Sequence, residues 1–199
     1  MTGALIVFAR EPCAGKVKTR LAARLGGHAA ADIYARLLSR TLDLAERSRF
    51  RKRYLFAADT LEIDYFAARL AAETWQVRAQ CRGDIGQRMH RAIESVLPHH
   101  EFVVLIGSDI ADSEIDDLDQ AWTLLSCASS AAVVGPSADG GYWLIGLRES
   151  QPIIFHEIPW STDGVFQTTV SRLVNLGLEV SCLAPRHDVD EVEDLRHVL

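Results

Sequence analysis

A chain of 199 residues with 48% hydrophobic and 24% charged side chains has a globular composition and can bury a large core, which excludes disordered, collagen-like and low-complexity classes. It has no run of about 18 apolar residues, which excludes a membrane-spanning helix. The opening MTGALIVFAREP lacks a charged start and a long apolar run, so no secretory leader is expected and the cytoplasm is the expected compartment.

The net charge of −6 is uneven: Lys and Arg outnumber Asp and Glu by 12 to 4 over residues 1–55 and are outnumbered 9 to 23 over the remainder. Such asymmetry can set an anion site against a metal site, although solvated helix faces account for most single charges, such as Arg47, Arg49, Arg51, Lys52 and Arg53. Few aromatics interleave with the basic residues and the whole is acidic, so a nucleic-acid partner is not expected.

The pattern then alternates. Residues 4–8, ALIVF, form a short apolar run that reads as a buried parallel strand. A polar loop from Arg10 to Arg20 follows, then a helix over about 28–47 with Ala30, Ile33, Leu37, Leu38, Leu42 and Ala45 on one face. Strands are predicted at 54–57 and 75–79, flanking a helix near 62–72. Ile85, Met89, Ile93 and Val96 mark a helix closed by Pro98. Residues 102–106, FVVLI, read as a central strand ending in Gly107-Ser108-Asp109. A helix at about 115–127, a strand at 131–134, the turn Asp139-Gly140-Gly141 and a strand at 142–145 come next. A helix at 163–176, a strand at 178–183 and a short helix at 191–198 complete the chain.

This alternation predicts an α/β fold of three layers, a mainly parallel sheet with helices on both faces. The Asp-Gly-Gly turn suggests one antiparallel strand. No linker or repeat is apparent, so one domain over 1–199 is expected. In such sheets ligands lie beyond the carboxyl ends of the strands, which points to the loops after Phe8, Ile106 and Val134. Cys13, Cys81, Cys127 and Cys182 match no metal or redox spacing and are expected as reduced, mostly buried thiols.

Gly15-Lys16-Val17-Lys18-Thr19-Arg20 is not a P-loop, because Arg10 stands where the first glycine belongs and Val17 where the hydroxyl belongs. It still gathers three cations after the first strand, which suits a polyphosphate or simply a solvated loop. Asp109 at a strand end can hold a divalent metal through oxygen; the other reading is a helix cap, for which Asp112 or Ser113 is better placed. Gly140 and Gly141 serve a turn or a close ligand approach. Trp143 reads as core. Asp188 and Asp190 share one side of an extended segment and would repel unless a cation offsets them, while Glu191, Glu193 and Asp194 suit the N-terminus of the last helix. No histidine pattern matches a metal motif, and Ser161 lacks a hydrolase elbow.

These motifs line up with a known pattern. GKVKTRL at 15–21, GDIGQRM at 83–89, GSD at 107–109, GPSADGGYWLIGL at 135–147, WST at 160–162 and DVD at 188–190 together resemble the bacterial glycosyltransferase-A-like family of unknown function often labelled selenodomain-associated transferase. That family lies within the nucleotide-diphospho-sugar transferase superfamily. The resemblance covers nearly the whole chain and implies a Rossmann-like half-sheet under a nucleotide-activated donor, with Mg²⁺ or Mn²⁺ bridging its phosphates. It implies that Asp109 and Lys18 are catalytic and that Gly15, Lys16, Lys18, Arg20 and Ser108 meet the nucleotide. It places Asp139, Gly140, Gly141, Tyr142, Trp160, Ser161 and Thr162 near the sugar or an unknown small-molecule acceptor, and it gives the metal to Asp109 with Asp190 or, second, Asp188. Two positions depart from the family pattern: Ala111 replaces a usual Pro and Glu191 a usual Thr. The leading expectation is glycosyl transfer from a nucleotide sugar. The alternatives are nucleotidyl transfer from a nucleoside triphosphate with pyrophosphate release, and a non-catalytic nucleotide-binding protein.

Overall fold

The computed structural model describes residues 2–127 and 130–198. Among them, seven strands share one sheet: β1 (Gly3–Ala9), β2 (Lys52–Ala57), β3 (Trp75–Ala79), β4 (Phe102–Ile106), β5 (Ala132–Pro136), β6 (Tyr142–Leu147) and β7 (Val180–Cys182). The order is β3-β2-β1-β4-β6-β5-β7. Pairing is parallel except for β6, which runs antiparallel to both β4 and β5. The single reversal follows the Asp-Gly-Gly turn. The predicted α/β sandwich is the observed one.

The described residues also form six α-helices: α1 (Thr19–Leu25), α2 (Gly27–Arg47), α3 (Ile63–Ala67), α4 (Ile85–Val96), α5 (Ile115–Ser126) and α6 (Val165–Asn175). Strand side chains alternate between faces. Leu5 and Val7 of β1 therefore join α2, α3 and α5 in one core cluster. Ala4, Ile6 and Phe8 join α4 and α6 in another. An apolar run such as ALIVF is needed because both faces of β1 are covered.

Several expectations are corrected. The polar loop ends early, because Thr19–Leu25 is helical and Gly26, at φ +87°, turns the chain into α2. The helix expected near 62–72 is a 3₁₀ turn at Thr60–Glu62 followed by the short α3. The last helix is a 3₁₀ stretch, Val192–His197. Neither Asp112 nor Ser113 caps α5. Glu114 does, in a reciprocal box with Asp117, while Asp112 accepts hydrogen bonds from the His187 backbone and faces its ring. The thiols are not mostly buried: Cys81, Cys127 and Cys182 are exposed and Cys13 is half-buried. Arg53 is not on a solvated helix face. It lies on β2, only 4% exposed, where its guanidinium donates to the Ala45 and Glu46 carbonyls at the end of α2. Trp143 is core, as expected.

Candidate functional site

A cavity of about 610 Å³ opens at the carboxyl ends of β1 to β4. Its wall includes Arg10, Lys16, Lys18, Arg20, Tyr34, Ala58, Gln80, Arg88, Ser108, Asp109 and Asp190. This is the edge where the switch in strand order leaves a crevice.

Lys18 is the central residue. It precedes α1 with φ 46° and ψ 53°, a left-handed conformation in a non-glycine residue, and such strain of about 1–3 kcal/mol persists where surrounding structure imposes it. Its Nζ donates to Asp109 Oδ2 and to Asp190 Oδ1, both at 2.8 Å. The Lys18 side chain is only 6% exposed. Burial opposes its charge, but the two carboxylates more than offset that penalty and raise its pKa.

Two elements bring the acids together across 81 positions. Asp109 follows β4. The segment 183–190 continues past β7: Leu183 N donates to Val134 O, Arg186 N to Pro136 O and Ala138 N to Arg186 O. It then crosses to the β4 loop, where Ala111 N donates to His187 O and Val189 N to Asp109 O. Val189 is fully buried beside Leu21, Ala30, Leu37 and Ala111. Period-two alternation turns Asp188 and Asp190 to the other side of the strand-like segment. Asp188 is half-buried, and burial first, then the charges of Asp139, Asp190 and Asp109, push its pKa up to about 6. Asp194 accepts from the backbones of Asp190 and Glu191, so it caps the last turn and leaves Asp188 and Asp190 for other work.

Behind the pocket, Tyr34 ties the wall together. Its hydroxyl accepts from Arg10 N at 3.0 Å and meets Ser108 Oγ at 2.8 Å. Glu62, buried, accepts from Glu11 N at 3.0 Å and fixes the start of the basic loop. Gly15 supplies a left-handed turn at φ +79° and is not on the pocket wall.

The predicted acceptor residues sit elsewhere. Asp139 Oδ1 accepts from Gly141 N at 2.9 Å and from the Ser137 hydroxyl, closing the turn after β5 beside Asp188. A side chain at Gly140, φ +90°, would meet the Asp163 backbone at 2.3 Å, so that space is filled by protein. Tyr142 and Trp160 pack edge-to-face at 6.3 Å against the core. Thr162 donates to Pro159 O, and Ser161 is exposed at φ +65°. None of these seven residues lines the cavity.

Sequence reasoning missed Arg10, Gln80 and Arg88 on the wall. The GDIGQRM motif held the signal for Arg88. Asp84 and Gln87 form a reciprocal cap at the start of α4. Gly86 lets Trp160 approach, since a Cβ there would lie 2.4 Å from its ring. Arg88 and Met89 are thereby presented to the cavity.

Among the described residues, no group of three His, Cys, Asp or Glu side chains is disposed to hold a metal by itself. The donor set is nevertheless all oxygen, and Mg²⁺ commonly takes one or two carboxylates and completes its shell with water and phosphate. Asp109 and Asp190 fit that demand, with Asp188 and Asp139 adding negative charge nearby.

The family model described as uncharacterised protein conserved in bacteria (DUF2064) matches residues 41–162. A crystal structure of a Desulfovibrio desulfuricans G20 protein, provisionally named a nucleotide-diphospho-sugar transferase, is 33% identical with a TM-score of 0.90, covering 98% of this chain and 85% of that one. Rv0371c of Mycobacterium tuberculosis H37Rv, solved as a manganese complex, is 20% identical with a TM-score of 0.58, over 100% and 98% of the two chains. The inositol-1-phosphate CTP transferase of T. maritima is 12% identical with a TM-score of 0.61, over 98% and 91%. The last two show the fold alone. No curated protein matches the chain in sequence. No helix among the described residues is long and apolar enough to cross a membrane. With its family match and its near-complete superposition on the Desulfovibrio structure, the chain belongs to the DUF2064 family of bacterial proteins, built on the nucleotide-diphospho-sugar transferase fold.

Proposed function

We propose that this protein is a divalent-metal-dependent transferase that takes a nucleotide-activated donor, with its phosphates on Lys16, Lys18 and Arg20 and its metal between Asp109 and Asp190. The observation that carries the reading is Lys18 Nζ, 2.8 Å from each of two carboxylates at the end of a cation-lined cavity. Acids and cations converge there as they would around a metal–polyphosphate complex.

Two transfers fit such a site. In glycosyl transfer an acceptor attacks the sugar carbon and a nucleoside diphosphate leaves. In nucleotidyl transfer an acceptor phosphate oxygen attacks the α-phosphorus, the α–β P–O bond breaks and pyrophosphate leaves. Five cations on the wall, Arg10, Lys16, Lys18, Arg20 and Arg88, favour the second, because a triphosphate brings more negative charge than a sugar diphosphate. The described wall also includes no histidine, and a phosphate nucleophile is already ionised and needs no general base. Lys16, Lys18 and Arg20 then neutralise charge building on the leaving pyrophosphate. A divalent metal held by Asp109 and Asp190 would supply further neutralisation of phosphate charge.

The test is product analysis with Mn²⁺, nucleoside triphosphates, nucleotide sugars and phosphorylated acceptors. Pyrophosphate release supports nucleotidyl transfer, and nucleoside diphosphate release supports the glycosyl reading. Tight binding with neither product points to a non-catalytic nucleotide-binding protein.

A further inference from the structure

We infer that Gln80 reads the base of the donor and selects guanine over uracil. The inference rests on the reading of this cavity as a nucleotide site and specifies which nucleotide it takes.

The cavity runs along the sheet edge from Asp109 after β4 to Gln80 after β3. The strand order β3-β2-β1-β4 puts three inter-strand steps of about 4.8 Å between those ends, roughly 14 Å. That is the length scale of an extended nucleoside triphosphate. The acids and Lys18 occupy one end, so a nucleotide with its phosphates there places its base at the β2–β3 end, beside Ala58 and Gln80.

Several uncharged donors of that end are already used. Arg10 N donates to Tyr34 Oη, Ala58 N to Ala9 O and Gln80 N to Ala57 O. Gln80 Nε2 donates to Phe56 O at 2.9 Å. A carbonyl can only accept, so this bond fixes the amide's orientation and leaves Oε1 as its free group. Among the described residues neither Gln80 Oε1 nor the Ala58 carbonyl has a hydrogen-bond partner. The rim therefore offers a base two free acceptors, Gln80 Oε1 and the Ala58 carbonyl.

Guanine presents two adjacent donors, its ring N1–H and its 2-amino group. Uracil presents one N–H flanked by two carbonyls, so it gives the two acceptors one donor where guanine gives two. A site that pairs a ligand's donors rejects an analogue lacking them, because buried polar groups are left unmatched.

The experiment is calorimetric titration of the full chain with GTP, ITP, CTP and UTP in the presence of Mg²⁺, repeated on Gln80→Leu. The parent should bind GTP at least about tenfold more tightly than UTP, with ITP, which lacks the 2-amino group, several-fold weaker than GTP. In Gln80→Leu the GTP affinity should fall to within about twofold of that of UTP, which should itself fall less than that of GTP. Equal binding of GTP and UTP by the parent overturns the inference, as does a preference that survives in Gln80→Leu. Equal binding of GTP and ITP by the parent removes the 2-amino contact by a route that needs no variant. Absence of binding by all four triphosphates instead overturns the nucleotide reading of the cavity.

Discussion

Lys18 carries two opposing roles. On the proposed reading it meets donor phosphate, yet its ammonium holds Asp109 Oδ2 and Asp190 Oδ1, the oxygens the proposed metal would use. Lys18→Met should therefore tighten Mn²⁺ binding in the absence of nucleotide, because a competing cation is gone, and weaken nucleoside triphosphate binding. Mn²⁺ titration followed by electron paramagnetic resonance reads the first effect and calorimetry the second. Weaker Mn²⁺ binding in Lys18→Met would show that the lysine builds the carboxylate pair instead of competing for it. A second residue-scale device lies just behind. Burial disfavours ionisation of Asp112, but hydrogen bonds from the His187 backbone and ring outweigh it and hold its pKa below the ordinary 3.8. A depressed carboxylate pKa adds stability that is present above the unfolded value and lost as pH falls through the folded one. Asp112→Ala should thus melt below the parent at pH 7, with the gap closing under acid conditions below pH 3.8. A gap that persists undiminished would assign the loss to packing around the stacked His187 and His197 rings, 3.8 Å apart.

Individual elements are held by contacts that single positions decide. Arg53→Met should cost about 2–4 kcal/mol in urea denaturation, since it removes two hydrogen bonds from a charged donor to the end of α2. Arg53→Lys should restore only part, because an ammonium lacks the guanidinium fork. A loss under about 0.5 kcal/mol would mean those carbonyls find water. Gly140→Ala should destabilise by about 1–3 kcal/mol from backbone strain at positive φ alone, and its Cβ would also displace Asp163. Gly141→Ala, which meets only side-chain atoms no closer than 3.1 Å, should be milder. Equal melting temperatures for the two variants would contradict this account of the turn.

Much of this architecture is legible in the sequence, for physical reasons. The strands 75–79 and 102–106 are found at the predicted limits, the second because FVVLI is an apolar run bounded by polar residues, the first because WQVRA alternates apolar and polar side chains. The first helix escapes, since VKTRLAARL is dense in cations and buries only Leu21 among its helical residues. Glu62 and Arg53 look solvated in one dimension, and their burial is decided by backbone groups from distant elements. At the site, Lys18 and Arg20 are readable as cations of the loop after the first strand, Ser108 and Asp109 as polar residues at a strand end, and Asp190 as one of two acids on one side of an extended segment. Gln80 was not, because a lone glutamine after a strand carries no pattern. Nor does sequence reveal that Asp139 lies beside Asp188, since that needs the chain's return past β5.

The whole molecule makes the site from one topological fact. β1, central in the sheet, ends between β2 and β4, and the chain's last segment returns to close the β4 side through Asp190. Half of the carboxylate pair thus comes from the far end of the chain, and the account stands or falls on whether that half acts. The most direct measurement is the thermal shift produced by a nucleoside triphosphate with Mn²⁺, recorded for the parent, Asp109→Asn and Asp190→Asn. A ligand that binds the folded state raises the melting temperature by mass action, by about 2.7 kcal/mol at a hundred times its Kd. The account predicts a clear shift in the parent and a Mn²⁺-dependent part that collapses in both variants, each measured against its own unliganded melting temperature. A full Mn²⁺-dependent shift retained in Asp190→Asn would contradict it, leaving Asp190 as no more than a partner for Lys18.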